Sequence, residues 1–65
     1  MSKEMDTKKI EKQAKFNYQI LEMPLHQACE KSIQDNMSAN EIGQMARELD
    51  VTVDDLVEEI EKRIN

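Results

Sequence analysis

The chain has 65 residues, a formal net charge of −5, and 38% hydrophobic residues, among which Met is numerous at five. That length holds a single small domain, residues 1–65, and the lone Cys excludes an internal disulfide. The acidic balance repels nucleic acid at long range and disfavours free DNA or RNA as the ligand.

Residues 1–8 are open to disorder, since they are charged throughout and carry little to bury. From about Thr7 the spacing reads as a helix. Ile10, Ala14, Tyr18 and Leu21 fall on one side of it, and Phe16, Ile20 and Met23 on another. Two apolar faces on one helix suggest one for the core and one for a partner. The stretch "KFNYQI" also alternates polar and apolar residues, as a strand would. A lone strand needs a mate, which implies a ribbon-helix-helix-like dimer with a strand at 15–20. The Lys and Glu upstream favour the helix.

Pro24 suits the first turn of a second helix reaching to about Asn36, because its missing N–H costs nothing there. Leu25, Ala28, Cys29, Ile33 and Met37 share a face of that helix. Ser38 and Glu41 then form an S-x-x-E capping box, which opens a third helix with Ile42, Met45, Ala46 and Leu49 on its apolar side. Gly43 inside this helix costs about 1 kcal/mol relative to Ala. Either the helix tolerates it or a neighbouring helix approaches closely, and close approach is the expectation taken.

The fourth helix is the best defined. Thr52 and Asp55 form an acidic variant of the capping box, and Asp54 and Asp55 lie where the helix dipole favours them. Val53, Leu56, Val57, Ile60 and Ile64 make one apolar stripe, and Lys62 and Arg63 close the last turn. The expected fold is all-α: a small bundle of three to four short helices whose C-terminal pair is helix-turn-helix-like.

Little in the chain carries reaction chemistry. His26 and Cys29 stand one turn apart, and a dimer would be needed to gather two such pairs around zinc. A buried Cys beside a boundary His is the simpler reading, so no metal or cofactor is expected. For nucleophilic catalysis Cys29 has no second His nearby in sequence, no Gly-rich turn is present, and a fold this thin cannot wall off a pocket. An enzyme is not expected.

Charge is distributed unevenly. Residues 1–15 carry five Lys against three acids, and residues 37–65 three bases against eight acids. The N-terminal Lys are interleaved with Glu and Asp and fall short of a phosphate-binding arm. Asp54, Asp55, Glu58, Glu59 and Glu61 span the arc opposite the last apolar stripe. Such an arc keeps a small protein soluble, and it can also dock on the basic patch of a nucleic-acid-binding protein.

Residues 41–56, "EIGQMARELDVTVDDL", resemble a generic helix-turn-helix, with Ala46, Val51 and Leu56 at its small, turn and packing positions. Asp50 stands where the turn commonly has Gly. The same run resembles the two-helix hook of the Sin repressor/antirepressor family, of the style E-L-x-x-x-A-K-E-x-N-I-S-x-E-E-I. Ala39 stands near the place of that family's aromatic. The resemblance implies pairing with the hook of a DNA-binding repressor through Ile42, Ala46, Leu49, Val51, Leu56, Val57 and Ile60.

The expectation is a small acidic regulator that binds another protein, with Asp54, Asp55, Glu58 and Glu59 completing the binding surface. A homodimer is expected, because a core below about 70–80 residues rarely supplies more than about 3–5 kcal/mol. Two alternatives stand beside it: a DNA-binding regulator acting as a dimer, and a self-assembling structural module. Neither a signal-like apolar stretch nor a run able to span a bilayer occurs, so the expected compartment is the cytoplasm and no membrane partner is expected.

Overall fold

The computed structural model describes residues 7–65. The question of order in residues 1–6 lies outside these, while Thr7 and Lys8 already belong to the first helix. Four helices follow in chain order: α1 (Thr7–Gln19), α2 (Leu25–Asn36), α3 (Ala39–Leu49) and α4 (Val53–Ile64). The fold is all-α, and no strand occurs among the described residues. Residues 15–19 lie inside α1, so the ribbon alternative does not form.

Local chemistry explains the boundaries. Pro24 stands at the N-cap of α2, just before the first turn rather than in it, with φ −55° and ψ 142° and no side-chain hydrogen bond to cap the helix. Ser38 and Thr52 each accept a hydrogen bond from the backbone N–H three residues on, at 3.2 and 3.1 Å. Glu41 and Asp55 accept the reciprocal backbone bonds at 2.9 and 3.0 Å. Both capping boxes are therefore closed. These bonds hold the carboxyls of Glu41 and Asp55 below their ordinary pKa, with the backbone N–H as the larger cause.

Helix α3 ends where Asp50 turns left-handed, with φ 56° and ψ 46°. The Val51 N–H then reaches the Ala46 carbonyl at 2.9 Å and the Asp50 N–H the Arg47 carbonyl at 3.2 Å. That pair of bonds is a Schellman closure, and Asp tolerates the position usually given to Gly. Glu22 makes a comparable left-handed turn after α1, with φ 57°.

Every helix contributes to one core. Ile10, Ala14, Cys29, Ile33, Ile42, Ala46, Leu56, Val57 and Ile60 are buried together, and Leu25, Met37, Met45 and Ile64 pack around them. Burying each Ile or Val of this set stabilises the fold by about 1.5–3 kcal/mol. Helices α1 and α2 run antiparallel. Ser32 Oγ donates to the Ile10 carbonyl at 2.6 Å near one end, and Asn17 Nδ2 to the Ala28 carbonyl at 3.2 Å near the other. Helix α3 packs on α2 and α4 but not on α1. It is the most peripheral element.

Two expectations are corrected. The spacing groups Tyr18 and Leu21 with Ile10 and Ala14, but in the structure both are about half exposed. The helical register carries the buried stripe from Ala14 to Asn17 instead, and the left-handed turn at Glu22 leads the chain away before Leu21 can pack. Asn17 is sealed in their place, its side chain satisfied by the Ala28 carbonyl. Nor does a neighbour press on Gly43: a Cβ built there meets nothing within 4 Å.

Candidate partner-binding surface

The expected binding residues divide by depth. Ile42, Ala46, Leu56, Val57 and Ile60 are all buried, the last two almost completely. They face the chain's own core, because a domain with so few large apolar residues needs every stripe it has. Leu49 and Val51 are different. Leu49 is 58% exposed at the end of α3 and Val51 lies in the turn that follows. With Val53, exposed at the start of α4, they form an apolar tip between the two helices.

Asp54, Asp55, Glu58 and Glu59 are all exposed on the outer side of α4. Their surroundings differ. Asp55 is engaged in the capping box with Thr52. Glu59 pairs with Arg63 one turn on, at 3.3 Å, and that guanidinium also reaches Thr7 and Glu11 on α1. Asp54 and Glu58 have no ion-pair or hydrogen-bond partner among the described residues. Glu61, the fifth carboxylate of the arc, turns inward and meets His26 Nδ1 at 2.8 Å.

The His26–Glu61 contact ties the start of α2 to the end of α4. It raises the imidazole pKa, first because the Glu61 carboxylate accepts a hydrogen bond from the protonated ring and then through its charge. Cys29 lies one turn further along α2, fully buried. Desolvation, and secondly the Glu61 charge, push its thiol up to about 11. A thiol held protonated in this way is neither a nucleophile nor a ready metal ligand. Among the described residues no group of three or more His, Cys, Asp or Glu side chains converges so as to hold a metal ion.

Among the described residues, two shallow depressions stand out. One, of about 510 Å³, is lined by Met37, Ala39, Ile42, Gly43 and Val53 with Gln34 at its margin. The other, of about 410 Å³, is polar and lies among His26, Glu58, Glu61, Lys62 and Asn65. Both are open to solvent and neither encloses a substrate-sized volume with convergent polar groups of the kind small-molecule sites need.

A second exposed apolar group lies at the far end of α1. Phe16 and Ile20 are 51% and 63% exposed, with Tyr18 and Leu21 beside them in sequence. The sequence signal for it is the second apolar face of α1, which the spacing separates from Ile10 and Ala14. Tyr18 and Leu21 carry no such signal: the register of α1 turns Tyr18 aside, and the left-handed turn at Glu22 leads the chain away before Leu21 can pack.

No protein-family model, curated protein or solved structure matches this chain. No described helix is long and apolar enough to cross a membrane.

Proposed function

We propose that this protein is a small acidic regulator that binds another protein, a transcription factor or other basic DNA-binding protein, and modulates its activity without catalysis of its own. The observation that carries the reading is the outer side of α4. Asp54, Asp55, Glu58 and Glu59 all stand in solvent there, beside the exposed apolar tip of Leu49 and Val51. Carboxylates on such a face speed encounter with a cationic surface, and the apolar tip adds affinity on contact. The same face argues against reading DNA, which calls for donors such as Arg, Lys, Asn and Gln.

The mode of binding differs from a simple exchange of hooks. A partner using Ile42, Ala46, Leu56, Val57 and Ile60 would first have to displace this chain's own core. Docking on the outside of α4 and the α3–α4 turn leaves that core intact. The role fits a protein of the cytoplasm, where it would meet a DNA-binding partner.

The test is a tagged pull-down from host lysate at low and moderate salt, with captured proteins identified by mass spectrometry. Capture of a DNA-binding protein is expected at low salt and should weaken as salt rises. Asp54→Lys with Glu58→Lys, and separately Leu49→Asp, should each abolish it. Recovery of nothing but the bait, or capture indifferent to both changes, would overturn the proposal.

A further inference from the structure

We infer that copies of this chain bind one another, the outer face of α1 on one copy docking on the α3–α4 turn of the next. The contact is between copies alone and does not depend on the foreign partner proposed above.

The first surface is a mixed stripe. At about 100° per residue, Lys9, Lys12, Phe16 and Ile20 fall within an arc of about 80°, turned about 120° from the buried Ile10, Ala14 and Asn17. The stripe runs about 17 Å along the helix. All four side chains are exposed, and Lys15 flanks Phe16 in the sequence. Lys9, Lys12 and Lys15 have no ion-pair partner among the described residues. This is an apolar face bordered by cations on a chain that is acidic as a whole.

The second surface has the opposite border. Leu49, Val51 and Val53 alternate with Glu48, Asp50 and Asp54 through the α3–α4 turn, and all six are exposed. The three carboxylates lack an ion-pair partner among the described residues. Phe16 and Ile20 match the apolar tip in character, and Lys9, Lys12 and Lys15 match the carboxylates in charge. Two α1 stripes would bring Lys against Lys, and two turns acid against acid, so the pairing is between unlike surfaces.

Size is compatible with this arrangement. A specific interface buries about 600–1,000 Å² on each partner, about an eighth to a fifth of the 4980 Å² this chain exposes. A two-fold pair makes the contact twice, each copy giving a stripe and a turn, whereas a head-to-tail arrangement makes it once per junction.

The experiment measures mass by sedimentation from about 10 µM to about 1 mM for the purified chain, Phe16→Asp, Val51→Asp and their equimolar mixture. The parent should associate, and more weakly by several-fold as salt rises from about 50 to about 500 mM. Each variant alone should associate at least about tenfold more weakly. The mixture should recover a dimer, because Val51→Asp keeps an intact stripe and Phe16→Asp an intact turn. Circular dichroism checks that both remain helical. Should Phe16→Asp fail to fold, Lys12→Glu reads the same contact through charge. A parent that stays monomeric throughout, or association unchanged by the variants, or a mixture that does not recover, would overturn the inference.

Discussion

Ser32 donates its hydroxyl proton to the Ile10 carbonyl across 2.6 Å, and both residues are sealed from solvent. The bond fixes the register of α2 on α1 at the depth where Cys29, Ile33 and Ala14 meet. A Ser in that position needs a partner, since an unpaired buried hydroxyl costs free energy that water would otherwise repay. Ser32→Ala removes donor and hydroxyl together, leaving a carbonyl inside a helix. We expect a loss of about 0.5–1.5 kcal/mol in urea unfolding. In a domain of this size that lowers Tm by roughly 4–8 °C per kcal/mol. A variant as stable as the parent would show the bond to be neutral.

Gly43 gives the opposite expectation. Its helical backbone is ordinary and a Cβ there would meet nothing within 4 Å. Gly43→Ala should therefore stabilise the isolated protein by up to about 1 kcal/mol. Thermal unfolding monitored by circular dichroism at 222 nm (the helix band) reads this directly. A destabilised variant would mean that the depression beside Met37 and Val53 is narrower than it looks.

The His26–Glu61 contact predicts a pH dependence. The imidazole pKa is raised above its unfolded value, so the protonated form is the one the fold favours. This contribution to stability is fully present below the unfolded value of about 6.5 and is lost as pH rises through the folded pKa. The imidazole should titrate by NMR above that value in the parent and closer to it in Glu61→Gln. Equal titration in the two would remove Glu61 as the cause.

Cys29 should resist modification. Its thiol is buried and pushed up to about 11, so the thiolate is scarce at neutral pH. A disulfide exchange reagent should label it at a rate set by opening of the fold, rising with urea toward that of an unstructured thiol. Rapid labelling of the native protein at neutral pH would contradict the packing of α2 against α1 and α4.

Most of the helical architecture was legible locally. Ser38 with Glu41 and Thr52 with Asp55 announce two helix starts, and both boxes close in three dimensions. Such signals need only neighbours within one turn, so a linear chain carries them complete. The stripe Leu56, Val57 and Ile60 likewise declares an apolar face. Its spacing does not say whether that face meets the same chain or another. The bundle answers this, burying all three beneath α1, α2 and α3.

Exposure was less legible than helicity. Leu49 and Ile42 have the same residue class and belong to one periodic face, yet Leu49 is 58% exposed and Ile42 9%. Of α3, Ile42 and Ala46 reach the buried cluster and Met45 packs against it, whereas Leu49 does not, and that depends on where the other helices lie. The same holds at Gly43, since a neighbour's distance is not encoded in the spacing of one helix.

What periodicity and capping specify, then, are the starts of α3 and α4 and the apolar stripes, because these depend on residues a few positions apart, while spacing alone leaves α1 open between helix and strand. Which apolar side chains become core and which stay exposed is set when the helices meet. That choice is made by burial against distant segments, and of the expected surface it leaves Leu49, Val51 and the carboxylates Asp54, Asp55, Glu58 and Glu59 exposed.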